Sequence, residues 1–184
     1  MKLGSVSENL NFEKRISITP EIAKKYIGLG FEILLSEDYG KHLGFNEKEY
    51  KELGVKFISN DKELIEKSDI IIQMSLLENA KNSLLKAGQI FIGVLNPYDN
   101  KNKLDELLKK KINLFSLELL PRITRAQSMD ILSSQANLAG YKAVIESFSI
   151  FEKAIPMMMT AAGTIPAAKV LVVGAGVAGL QAIA

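Results

Sequence analysis

Over the first 117 residues, six short apolar segments alternate with polar, helix-forming ones, and this alternation restricts the fold more than any other feature. The apolar segments are 2–6, 31–35, 55–58, 69–74, 89–94 and 112–117. Between them the sequence predicts helices. Thr19 caps the first, Pro20 takes its opening position, and it ends near Gly30. Others are expected over 46–53 (ending at Gly54), 61–67, 76–86 and 101–110. The segment DIIIQM, 69–74, is apolar almost without a break, as in a strand buried on both faces. Strands and helices at this spacing build βαβ units and a parallel sheet.

The pattern changes after Pro121. From Gln127 to about Phe151 there is no proline and one glycine, which predicts a single long helix. Leu132, Ala136, Ala139 and Ala143 recur at helical spacing as its expected core stripe. Gln127, Asp130, Ser133, Ser134 and Asn137 fall on the opposite side. Pro156 and the TAAGTIP segment follow as a connector, then AKVLVV (168–173) as a strand. The expected fold class is α/β, with two Rossmann-like subdomains of parallel sheet joined by a long helix. Residues 1–126 form the first subdomain, 127–155 the linking helix, and 165–184 the start of a second subdomain, truncated in this chain.

The second subdomain opens with VLVVGAGVAGLQAIA, a strand, G-x-G-x-x-G and a helix start. Gly174 allows the tight turn, Gly176 lets a pyrophosphate approach the backbone, and Gly179 lets helix and strand pack closely. The helix start offers free N–H groups and the positive end of a dipole. The competing account is a glycine-rich structural turn, but the preceding strand and following helix favour a dinucleotide site. The acidic residue that would bind the ribose, about 20 positions further on, falls beyond Ala184. A nucleotide-binding fold needs several more strands, so the chain reads as a fragment or a truncated reading frame.

Charge and composition remove other classes. Net charge is +2, which gives no electrostatic case for nucleic acid. There is no cysteine and one histidine, His42, so no metal site is expected. His42 lies in a glycine-flanked segment and reads as a surface or loop residue. No signal peptide follows Met1. The apolar run 170–184 is 15 residues, short of the ~20 that span a bilayer. Of 23 basic residues only Arg15, Arg122 and Arg125 are arginine. Either this placement is chance, or some of these planar forks grip a carboxylate or phosphate.

Two of those arginines sit in PRITRAQSMDILSSQANLAGY, 121–141. Thr124 and Gln127 have the T-x-x-Q spacing of a capping box, and Asp130 suits the helix dipole. Arg122 and Arg125 are left over, at a helix end where cations are disfavoured. An anionic partner suits them better.

This stretch resembles the signature of the NAD(H)-binding domain I of the proton-translocating NAD(P) transhydrogenase alpha subunit. NFEKRISITP near the start and MMMTAAGTIPAAKVLVVGAGVAGLQAIA at the end resemble the same family. The resemblance implies NAD(H) in a cleft between two α/β subdomains, and direct hydride transfer from NADH to NADP⁺ driven by a proton gradient. It also implies a homodimer docked to an NADP(H)-binding domain and a membrane proton-channel subunit. The chain would then be cytoplasmic, peripheral on the inner membrane through those partners, with no transmembrane segment of its own. Residues matching Arg122, Gln127, Ser128, Met129, Asp130 and Ser133 would line the nicotinamide end. Gln127, Asp130 and Arg122 would serve catalysis, Gln127 by reaching the partner nucleotide. Arg122 and Asp130 would hold each other, and Gly174, Gly176, Val177 and Gly179 would meet the pyrophosphate. Hydride transfer between nicotinamides needs no acid or base, only two rings held roughly 3–3.5 Å apart.

Alanine dehydrogenase, a relative of the same architecture, is the alternative. That family uses an N-terminal arginine, a lysine and a histidine. Arg15 matches the first, but the expected strands offer Gln73, Ser75 and Asn96 instead of a lysine and a histidine. A basic residue often found there in transhydrogenases is missing too. A third possibility is a truncated, non-catalytic module that binds a partner subunit.

Overall fold

In the computed structural model, which describes residues 1–184, the six strands expected in the first half form and lie parallel in one sheet. They are β1 (Lys2–Ser5), β2 (Glu32–Ser36), β3 (Lys56–Ile58), β4 (Ile70–Gln73), β5 (Ile90–Gly93) and β6 (Asn113–Ser116). Their order is β3-β2-β1-β4-β5-β6. The connections run outward from β1 on one side and from β4 on the other, so the order reverses between these two strands.

Side chains alternate across each strand, so two apolar clusters form, one on each face of the sheet. Ile33, Leu35 and Ile70 join Leu3, Ile18, Tyr39 and Tyr50 in one cluster. Leu34 and Ile71 join Leu64, Ile65, Phe91, Leu104 and Leu107 in the other. The first face is covered from α1 (Pro20–Gly28) and α2 (Glu47–Glu52), the second from α3 (Asp61–Lys67) and α5 (Lys101–Lys109). Thr19 caps α1 through its side chain, with Pro20 at the first position, as the sequence predicts. The chain divides into two compact units, Met1–Leu120 and Pro121–Ala184, and this sheet with its helices is the first.

The helix expected over 76–86 shrinks to α4, Asn79–Asn82. Ser75 is held by Glu8, and Asn82 donates its amide to the Leu77 carbonyl, so the residues before Glu78 are tied elsewhere. Leu84 and Leu85 bond three residues back, which tightens and ends the helix.

The second unit departs further from expectation. The long helix α6 runs Ile131–Ile150 and does not include Gln127, which sits in a separate 3-10 turn, Thr124–Met129. The TAAGTIP connector contributes to an antiparallel hairpin, β7 (Met158–Thr160) with β8 (Gly163–Ile165). Residues 168–173, expected as a strand, have no neighbouring strand to complete a ladder, and Val170, Leu171 and Val173 are 69%, 87% and 92% exposed. The last element is α7, Val177–Ile183. The expected stripe of α6 is not its packed side: Leu132, Ala139 and Ala143 are exposed. The packed side passes Ser133, Ala136, Gly140 and Val144, one step around the helix. No helix is long and apolar enough to cross a membrane.

Candidate functional site

The polar stretch and the glycine turn both lie in the second unit. Asp130, extended at ψ 91, breaks the chain between the 3-10 turn and α6 and becomes the N-cap of α6. Its Oδ1 accepts from the Ser133 backbone N–H at 3.0 Å and its Oδ2 from the Ser133 hydroxyl at 2.7 Å. Those two bonds, first the backbone one, together with the charge of Arg122, hold the Asp130 carboxyl below its usual range. The cap expected from Thr124 and Gln127 does not form: neither side chain caps the 3-10 turn. A carboxylate at Asp130 reaches the Ser133 amide directly, and the helix starts there instead.

Arg122 makes no ion pair with Asp130, contrary to expectation, and acts on it through charge alone. Arg122, Arg125, Gln127, Ser128 and Met129 are all exposed, Arg122 just before the turn and the other four within it. The structure therefore brings Asp130 and Ser133 into contact and leaves Gln127 and Arg122 available to an outside group.

At the other locus, Gly174 has φ +111, a conformation that disfavours any side chain. A Cβ on Gly179 would collide with the Gly174 carbonyl oxygen and touch Val172, so the third glycine of the motif is required by contact. Gly176 N-caps α7 without a side-chain bond, and nothing lies within 4 Å of where its Cβ would be. The first N–H groups of α7 thus begin beside open backbone. A close-approach turn with open space over its middle glycine fits the pyrophosphate of a dinucleotide.

α6 and α7 pack against each other in antiparallel sense. Asn137 donates to Gln181 at 2.9 Å, and a Cβ on Gly140 would collide with the Ala178 carbonyl. Sequence periodicity does not disclose this contact, although a lone glycine inside a 20-residue helix is its signal. The glycine turn lies at the α7 end nearer Val144, and Asp130 at the opposite end of α6. Ser133 is roughly 10 Å along α6 from Gly140, at ~1.5 Å per residue.

In the first unit, Arg15 grips its own chain, with Nε donating to Glu13 Oε1 at 2.8 Å and a second nitrogen to Oε2 at 2.5 Å. Ser75 and the backbone N–H of Asn96 are engaged by Glu8 and Glu118. His42 is exposed, as expected of a surface residue, with Nε2 2.6 Å from the Lys14 carbonyl oxygen.

Comparison with known proteins agrees over the whole chain. Residues 4–139 match the family described as alanine dehydrogenase/PNT, N-terminal domain, and 143–184 match its C-terminal domain. The first of the polypeptides that make up the NAD(P) transhydrogenase alpha subunit of Rickettsia prowazekii is 46% identical over 188 residues, covering 100% of this chain and 49% of that protein. The protein of the same description from Rhodospirillum rubrum is 42% identical over 189 residues, with the same two shares. The crystal structure of transhydrogenase from Sinorhizobium meliloti superimposes with TM-score 0.94 at 39% identity, over 100% of this chain and 55% of that one. The chain spans about half the length of the curated relatives it matches.

Proposed function

The chain belongs to the alanine dehydrogenase/PNT family, and from that premise we propose that it is the NAD(H)-binding portion of a proton-translocating transhydrogenase. In this reading residues 1–126 form the first subdomain, 127–155 the linking segment, and 165–184 the entry to the nucleotide-binding subdomain. The bound nicotinamide supplies the hydride, and the chain supplies position and exclusion of competing reactions. The glycine turn receives the pyrophosphate at Gly174, Gly176, Val177 and Gly179. Arg122, Gln127, Ser128, Met129, Asp130 and Ser133 face the nicotinamide and its ribose.

The observation that carries this reading is the geometry of the glycine turn. Gly179 is pressed on Gly174 while the Gly176 backbone stays open, as a pyrophosphate-binding turn needs. The separation along α6 supports it too, because an extended dinucleotide must span from a pyrophosphate site to a distant nicotinamide site. Asp130, locked by two bonds to Ser133, fixes the end of the turn that carries Gln127, with Arg122 just ahead of that turn. Both of these are exposed, as a role across an interface with an NADP(H)-binding partner requires. The homodimer, the membrane proton-channel partner and the peripheral location on the inner membrane belong to the same proposal; what supports a multi-subunit assembly is that the relatives are named as part of a transhydrogenase subunit.

The experiment is to mix the protein, in the full length of its reading frame, with an NADP(H)-binding domain and follow hydride transfer from NADH to an NADP⁺ analogue. Transfer is expected only with that partner present. NADH oxidation without it, driven by pyruvate and ammonium, would point to an alanine dehydrogenase.

A further inference from the structure

A dinucleotide held at the glycine turn and at the Asp130–Ser133 cap needs those two places a fixed distance apart. One lies at the start of α7 and the other at the start of α6. The chain that joins the two helices, 151–176, holds only the hairpin β7-β8 and has no buried residue, so it does not set that distance. The packing of α6 on α7 must do so. A Cβ on Gly140 would collide with the Ala178 carbonyl oxygen, so the two backbones touch there. This contact fixes how near the helices come but supplies no directional partner.

The direction comes from a pair of amides. The close approach at Gly140 lets two short side chains meet about one turn away, where Asn137 Nδ2 donates to Gln181 Oε1 at 2.9 Å. Asn137 lies one turn from Ser133 on α6, and Gln181 one turn from Val177 on α7. A hydrogen bond weakens steeply away from its alignment, so this one selects a single axial register of the two helices.

We propose that Asn137 and Gln181 are a positioning pair, which sets the span between the nicotinamide end and the pyrophosphate turn by holding α6 and α7 in register. This rests on the reading of the second unit as a nucleotide site. The bond is neutral and Asn137 is exposed, so it adds little to stability. Its effect on hydride transfer is larger, because a misplacement of about 1 Å at the reacting rings lowers the rate roughly a hundredfold. Each amide carries both a donor and an acceptor. Asn137→Asp therefore still finds the Gln181 Nε2 once that amide turns over, and Gln181→Glu still accepts from Asn137. The double variant Asn137→Asp/Gln181→Glu sets two carboxylates against each other, and Asn137→Leu removes the bond with a side chain of similar shape.

The test measures transfer from NADH to an NADP⁺ analogue on the protein in the full length of its reading frame, with an NADP(H)-binding domain added. Asn137→Leu and the double variant should lower kcat about tenfold with KM for NADH within about twofold, while each single carboxylate variant stays within about twofold of the wild type in both. Melting temperatures should not follow that order. A second measurement reads the register without activity. The 184-residue chain has no cysteine, so spin labels on cysteines placed at the exposed Ser134 and Ala175 report their separation alone. The distance distribution should be narrow in the wild type and in both single carboxylate variants, and broad or displaced in Asn137→Leu and the double variant. Unchanged distances or unchanged transfer in Asn137→Leu and the double variant would overturn the proposal, as would equal loss of transfer in all the variants. A wild type that shows the expected distances but transfers no hydride would refute the proposed function and leave the register role of the pair standing.

Discussion

Asp130 decides where α6 begins, and it does so through a charge. Its carboxyl is held low by the Ser133 amide and hydroxyl and by Arg122. A depressed folded pKa stabilises the fold fully above the ordinary value of 3.8, and that contribution fades as the pH falls through the lower folded value. Asp130→Asn keeps a capping oxygen without the titration. We expect the variant to retain α6 at neutral pH and to lose less helix than the wild type on acidification to about pH 3, followed by circular dichroism. Equal acid loss would show that the cap is not the charged group at work. Gly179→Ala places a methyl against the Gly174 carbonyl, so the turn must open. It should abolish NADH binding by calorimetry, and wild-type affinity would exclude the turn as the pyrophosphate site. Gln127 projects from the 3-10 turn without capping it. Gln127→Asn should therefore slow hydride transfer at least about tenfold, on the order of 1.4 kcal/mol, with NADH affinity nearly unchanged. An equal fall in affinity would assign Gln127 to the bound nucleotide instead. At this scale the glycine turn was legible because Gly174 needs a positive φ and Gly179 has no room for a side chain. The cap was not, because T-x-x-Q and Asp130 compete for one helix start and sequence spacing does not rank them.

Elements divide by how strongly their pattern is imposed. The six strands were readable because strands buried on both faces must be apolar and short, and the first helix between them carries a clear cap in Thr19; the caps Asn46 and Asn60 emerge only in the structure. α6 was readable as a helix but not in its orientation. Leu132, Leu138, Tyr141, Ile145, Phe148 and Ile150 surround it and are all exposed, so periodicity selects no face. Its packed side is set by Gly140, where the Ala178 backbone comes too close for a methyl group. The hairpin β7-β8 was hidden for another reason: its residues are exposed, and no alternation is enforced on them. Gly140→Ala should force α6 and α7 apart at a cost of about 1–3 kcal/mol, typical of overpacking. Hydrogen exchange should show faster opening of both helices with β1–β6 unchanged; unchanged exchange in α6 and α7 would mean the contact is loose enough to absorb a methyl.

The whole molecule is uneven in what holds it. The first unit has an apolar cluster on each face of its sheet, with Tyr39, Tyr50 and Phe91 fully enclosed. In the second unit only Ala126 and Gly140 are buried. Limited proteolysis should cut within 151–176 well before it cuts β1–β6, since exposed backbone without packed side chains opens most easily. Early cleavage inside the sheet would contradict that ranking. The proposed function rests on the second unit, which holds the glycine turn and the 121–133 stretch. Its central claim is tested most directly by hydride transfer from NADH to an NADP⁺ analogue, measured spectrophotometrically on the protein in the full length of its reading frame. The prediction is transfer that requires an added NADP(H)-binding domain and is lost in Gly179→Ala. Transfer that needs no such domain, or that survives Gly179→Ala unchanged, would contradict it.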